Sequence, residues 1–231
     1  MSSSVSAKVR AVYDALELRK NKQALKLLAT LLDKKPANAQ LRILKALALN
    51  RSGQKDEALA LARSLKADKE VERDETLLNN LAIVFREAGA ASEASECFAS
   101  ALRNEPQNEE LALCLLGSYV RENNFLKLQQ LSQNLHKQFG HERYYLWAIV
   151  ATVLQVDHCM APPKLLALTQ KQLAKRVEEG KMTTYEELLL YLDVVKRQNK
   201  LSEAVALVQG PLGEIYSSKV FTTHILPLRP W

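Results

Sequence analysis

The stretch Arg86-Glu-Ala-Gly-Ala-Ala91 fits the loose pattern Arg-x-x-Gly-x-Ala. Enzymes that use acetyl-CoA cradle the cofactor's pyrophosphate with such a loop, on backbone N–H groups at a helix N-terminus. Three fixed positions in six arise readily in an Ala-rich chain, so the flanking segments must decide between a cofactor loop and a plain turn. Other chemistry is thinner. His136 and His141 are five apart, whereas two imidazoles share a helical face at i and i+4, and His158 merely adjoins Cys159. Neither a G-x-S-x-G nucleophile elbow nor a Gly-rich phosphate loop occurs. The residues therefore predict no catalytic group, no bound cofactor and no metal site.

The elements that carry these residues are read from composition first. The chain has 231 residues, 47% of them hydrophobic, enough to bury a core and too many for a disordered segment. Aromatics at 6%, with only seven Gly and seven Pro, suit an all-α protein better than a turn-rich β sandwich. The longest apolar run, Leu146 to Leu154, is about half of what a membrane-spanning helix needs. No apolar leader precedes the first charges, and Cys97, Cys114 and Cys159 form no C-x-x-C, which suits a reducing compartment. The expectation is a cytoplasmic chain without a membrane contact.

A repeat organises the chain. NKQALKLLATLLDKKP at Ala24, KDEALALARSLKAD at Ala58 and ASEASECFASALRNEP at Ala94 align at separations of 34 and 36 residues, with Pro36 and Pro106 each twelve beyond their alanine. About 34 is the period of the tetratricopeptide repeat, a helix–turn–helix unit whose two helices approach closely at one small residue. In this register the inter-helix turns fall at Arg19, Gly53, Gly89 and Asn123, and the first helix of each pair contributes Val12 and Ala15, Ala46 and Leu49, Ala82 and Phe85, and Leu116 and Tyr119 to the core. The reading is four tetratricopeptide-like repeats over 1–140, then a divergent helix pair and one further repeat-like pair over 141–216, with Asn199 at the turn and Ala204 at the close-packing position. An irregular tail follows over 217–231, where either the tail itself caps the solenoid or the chain is a truncated product. The architecture expected is a right-handed superhelical solenoid of such pairs.

That register settles Arg86–Ala91. The preceding LLNNLAIVF has apolar residues at Leu78, Leu81, Ala82 and Phe85, a helical spacing and no strand. Gly89 falls at the same turn position as Gly53, so the turn reading is preferred and this chain is not expected to be an acetyltransferase by itself. Two surfaces then invite partners. Residues 1–70 carry 15 basic and 7 acidic side chains, so Lys20, Lys22, Lys26, Lys34 and Lys35 could face the ribosome or its RNA. No aromatics interleave with them, which favours a merely solvated face. Tyr144, Tyr145 and Trp147 lie within four residues, too close in sequence for all three to enter one core, so some are expected to line an interface or cover the next repeat.

Specific residues go beyond the generic repeat. VRAVYDALELRKNKQALKLLATLLDKKP, LKALALNRSGQKDEALALA, ERYYLWAIVATVLQ and LSEAVALVQGPLGE occur in that order. Together they resemble the N-terminal region of the auxiliary subunit of the N-terminal acetyltransferase B complex, over about residues 8 to 215. Arg10, Tyr13 and Asp14 look like that family's opening Arg-x-x-Tyr-Asp, and Tyr144, Tyr145 and Trp147 like its Tyr-Tyr-x-Trp. The resemblance implies a non-catalytic helical scaffold that holds a separate acetyltransferase catalytic subunit near the ribosome. The complex acetylates nascent chains beginning Met-Asp, Met-Glu, Met-Asn or Met-Gln. The alternative is an adaptor that captures a chaperone's C-terminal carboxylate, but its groove would hold Val9, Tyr13, Ile43 and Leu47 in the first two repeats, where Lys and Asn are required.

Overall fold

The computed structural model describes residues 2–210 and 212–215. Among them every regular element is a helix, as the composition requires. The tail expected over 217–231 lies outside the described residues. The helices group into two compact units, Met1–Asn123 and a second beginning at Asn124.

The first unit contains α1 (Ser2–Glu17), α2 (Asn21–Leu32), α3 (Ala39–Arg51), α4 (Lys55–Leu65), α5 (Lys69–Arg73), α6 (Glu75–Glu87), α7 (Ala91–Asn104) and α8 (Glu109–Arg121). The helices pair as α1 with α2, α3 with α4 and α6 with α7. At the close-packing positions Ala24, Ala58 and Ala94 are each 0% exposed. A methyl group there adds almost nothing to the helix radius, so the paired backbones can approach while larger side chains to either side interdigitate. Around the first pair, Val12, Leu16, Leu28, Leu31, Leu41 and Leu44 form one apolar cluster. All eight core positions assigned to the first helices of the pairs, from Val12 to Tyr119, are buried.

Each first helix ends on a left-handed residue where the register put it: Arg19 at φ 55°, Gly53 at 88°, Gly89 at 74° and Asn123 at 54°. The left-handed step turns the chain so that the next N–H groups reach back to the last helical carbonyls. Thus Gly89 N donates to Arg86 O at 3.0 Å and Ala90 N to Phe85 O at 2.8 Å. The opposite ends are closed by short polar side chains. Asn38 accepts from Leu41 N, Asp74 from Thr76 N and Leu77 N, and Asn108 from Glu110 N and Leu111 N.

One element was not foreseen. The five residues of α5 sit between the second and third pairs, with Val71 buried and Asp68 capping the start. They occupy the region where the repeat spacing stretches from 34 to 36 residues. Charges tie successive pairs together on the outside. Arg51 of α3 grips Glu87 of α6 through two bonds, 2.8 and 2.5 Å, and Arg63 of α4 and Lys66 just beyond it reach Glu93 and Glu96 of α7.

The second unit comprises α9 (Phe125–Phe139), α10 (Glu142–Asp157), α11 (Leu165–Glu178), α12 (Tyr185–Arg197) and α13 (Leu201–Gln209). Gly140, at φ 72°, closes α9 and turns the chain into α10. Residues 158–164, which include Pro162 and Pro163, form the connection from α10 to α11, and Cys159 takes φ 55° within it. The core gathers Ile149, Val153, Leu173, Leu188, Tyr191 and Val194. Asn199 makes the last turn at φ 57°, as the register placed it, while Ala204 is only half-buried.

The turn at Gly89 yields a direct test. A Cβ there would meet only Lys55 Nζ, at 3.6 Å, so the cost of a side chain comes from the backbone conformation and not from crowding. Gly89→Val should lose about 1–2 kcal/mol in urea unfolding while circular dichroism stays helical. Arg86→Ala should leave the midpoint nearly unchanged. A Gly89→Val protein as stable as the parent would contradict the left-handed turn.

Candidate partner-binding surface

The residues singled out for a partner fall in both units. On α1, Arg10, Tyr13 and Asp14 lie at i, i+3 and i+4, one face of the helix. Arg10 and Asp14 are exposed, and Tyr13 is half-buried, its hydroxyl accepting a bond from Gln40 Nε2 of α3 at 3.0 Å. Tyr13 thus anchors α1 to α3 and leaves the two charges outward. Lys20, Lys22, Lys26, Lys34 and Lys35 are all exposed, at the α1–α2 turn, along α2 and just beyond it.

The three aromatics of α10 part company. Tyr144 is 0% exposed, edge-on to Trp147 at 5.6 Å and 6.4 Å from Phe139, with the Arg143 guanidinium 4.9 Å from its ring centre. Tyr145 is half-buried between His136, at 5.4 Å, and Arg176, at 5.1 Å. Trp147 is 38% exposed, and Val150, one turn further, is also exposed. One aromatic therefore builds the core, one packs in a polar layer, and one presents a large apolar surface outward. Beside Tyr145 a groove of about 200 Å³ opens between α9, α10 and α11, with Gln133, His136, Lys137 and Gln172 around a floor that includes Ile149.

The polar layer behind Tyr145 escaped the sequence reading. Arg176 of α11 is buried, and its Nη1 pairs with Glu142 of α10. Its Nη2 donates to Glu187 Oε1 at 2.8 Å and to Lys181 O at 3.1 Å. Glu187 Oε2 accepts from Thr183 N at 2.9 Å and Thr184 N at 3.2 Å, and Thr184 Oγ1 accepts from Glu187 N. The Thr184-x-x-Glu187 spacing is that of a capping box, a signal legible in the sequence. Nothing along the chain shows that this carboxylate also meets a buried arginine eleven residues earlier.

Nucleophilic chemistry has little support. Burial pushes the Cys97 thiol up to about 11, so it is protonated near neutral pH. Burial also raises the Cys114 thiol. Arg86–Ala91 comprises the end of α6, the turn and the first residue of α7, so the segment lies between two helices and not between a strand and a helix.

The Arg176 centre should hold α10, α11 and α12 in place, because a buried charge stripped of its partner is costly. Glu187→Ala should destabilise by about 3–5 kcal/mol. Replacing the pair together, Arg176→Met with Glu187→Leu, should restore most of that loss. Urea denaturation of the two variants checks both, and a Glu187→Ala protein within 1 kcal/mol of the parent, an allowance about the size of one ordinary hydrogen bond, would contradict the role.

The chain is 35% identical over 217 residues to the N-terminal acetyltransferase B complex auxiliary subunit NAA25 of Arabidopsis thaliana, covering 92% of this chain and 20% of that protein. It is 29% identical over 217 residues to the human N-alpha-acetyltransferase 25, NatB auxiliary subunit, covering 92% and 22%. The chain thus spans about a fifth of the length of these relatives. Among solved structures, that of Naa15/Naa10 bound to HypK-THB superposes with a TM-score of 0.56 at 20% identity, over 93% of this chain and 33% of that one, a likeness of fold. A family model, Psidin, N-terminal TPR repeats region, matches residues 6–227. The chain belongs to that family of N-terminal tetratricopeptide-repeat regions.

Proposed function

We propose that this chain is the N-terminal scaffold region of a non-catalytic auxiliary subunit in an N-terminal acetyltransferase complex of the B type. It supports a separate catalytic subunit, which supplies the acetyl-CoA chemistry, in the cytoplasm. The complex acts on nascent chains beginning Met-Asp, Met-Glu, Met-Asn or Met-Gln. The observation that carries the reading is 35% identity over 217 residues to the Arabidopsis auxiliary subunit. The paired helices suit the role physically. A stack held by its own alanines leaves the remaining helix faces available for partners, and exposed Trp147 has the size and amphipathic character of an interface anchor.

The exposed lysines from Lys20 to Lys35 fit contact with the ribosome, since residues 1–70 are the most basic part of the chain. Binding through phosphate neutralisation releases counterions, so it weakens steeply with salt.

One purification tests both parts. The tagged chain is recovered from cytosol at low and at physiological salt, and its partners are identified. An acetyltransferase catalytic subunit should co-purify under both conditions, and Trp147→Ala should reduce its recovery. Ribosomal proteins should accompany the chain mainly at low salt and be lost when the five lysines are changed to glutamine. Recovery of chaperones in place of a catalytic subunit would overturn the scaffold reading.

A further inference from the structure

The groove beside Tyr145, within the second unit, has two kinds of wall. At the Gln129 end the polar groups are spent on one another. Gln155 Nε2 donates to Gln129 Oε1 at 2.9 Å, Gln129 Nε2 to Thr152 Oγ1 at 2.8 Å, and Thr152 Oγ1 to Ala148 O at 2.9 Å. That chain of bonds, with Ala148 and Ile149 buried in the floor, fixes the shape of the groove before anything enters it. The other lining groups are open. Among the described residues Gln133, Lys137 and Gln172 make no hydrogen bond or ion pair with the rest of the chain. His136 Nδ1 lies 3.1 Å from His141 O, a carbonyl that can only accept, so Nδ1 carries a proton and the neutral imidazole keeps Nε2 as an acceptor.

This open set mixes donors with acceptors. Each glutamine amide supplies both, the imidazole accepts and the ammonium donates. A polypeptide main chain answers that pattern, because every peptide group presents an N–H and a C=O, whereas a phosphodiester presents acceptors alone. Tyr145 already carries His136 and the Arg176 guanidinium against its ring, which leaves little of it as a platform for a stacked base. Charge then selects among polypeptides. No carboxylate lines the groove, α9 carries Lys127 and Lys137 and no acidic residue, and Lys171 and Lys175 of α11 stand on either side of Gln172. Basic walls over an apolar floor complement a segment that sets a carboxylate beside an aliphatic side chain. At about 200 Å³ the groove is smaller than the roughly 300–1,000 Å³ of sites that engulf a whole small molecule, a size for one side chain of a longer chain lying across the rim.

We propose that the groove between α9, α10 and α11 binds an extended acidic segment of a partner polypeptide. An aliphatic side chain enters against Ala148 and Ile149, the amides of Gln133 and Gln172 with His136 Nε2 pair with the segment's main chain, and Lys137 meets an Asp or Glu carboxylate. The site goes beyond the scaffold role and does not depend on which complex the chain joins.

Fluorescence anisotropy on the full chain tests this with a labelled peptide carrying Asp-Leu-Asp among Ser and Gly residues, its Asn-Leu-Asn counterpart, and a short single-stranded RNA. The Asp peptide should bind saturably. Lys137→Glu, and separately Gln133→Ala with Gln172→Ala, should each weaken it about tenfold with helical circular dichroism retained, since all three side chains are exposed. Lys69→Glu, the same charge change at an exposed position of α5 in the first unit, should leave binding unchanged and so separates the groove from net charge. No saturable binding, equal binding of the Asn peptide, unchanged affinity in the folded groove variants, or a preference for RNA that those variants abolish would each overturn the proposal.

Discussion

Paired helices in the first unit touch at a residue too small to hold them apart, and the other features of the unit follow from that contact. With Ala24, Ala58 and Ala94 wholly buried, the backbones come close enough for Leu28, Leu65 and Phe98 to fill the space on either side. Close approach in turn demands a short connection. The left-handed residues at 19, 53 and 89 provide it, reversing the chain within three residues. Arg19 does so despite its side chain, at a cost in backbone strain that a glycine would avoid. These contacts are local, but the apolar cluster of the first pair takes in Leu41 and Leu44 of α3, so successive pairs share a core in addition to the charged clamps from α3 and α4 to α6 and α7.

The second unit meets the same need differently. Ala204 is only half-buried, and the inner surface is built instead from branched residues around Leu173, Leu188 and Val194. Into this layer the chain places Arg176, held by Glu142 and Glu187 and covered by Tyr145. A buried ion centre of this kind is less forgiving than an apolar core, since its partners must lie at set distances and directions. That constraint ties α10 to α11 and α12, and it orients α10 so that Tyr144 points inward and Trp147 outward.

What the sequence disclosed was what depends on local chemistry. Turn residues announce themselves because only a few side chains tolerate the left-handed region, and the buried alanines recur at the repeat period. Three crowded aromatics on one helix could be seen to need different surroundings before those surroundings were known. The five-residue α5 was not legible, since its run of charges carries a single buried residue, Val71. Nor was the Arg176 centre, whose partners lie 11 and 34 positions away and meet it only through packing. Arg86 shows the difference well. Its six-residue pattern alone fits a cofactor loop, while its place in the repeat makes it the end of a helix before the Gly89 turn, as the structure shows.

The central claim, that close packing at the buried alanines builds the frame of the first unit, is tested most directly at Ala94. Leucine there, between α6 and α7, has no space and should force the pair apart. Leucine at exposed Ala29 on α2 serves as the control. Urea unfolding of the two variants should show a loss of about 1–3 kcal/mol for Ala94→Leu and little change for Ala29→Leu. An Ala94→Leu protein that unfolds at the same urea concentration as the parent would contradict the account.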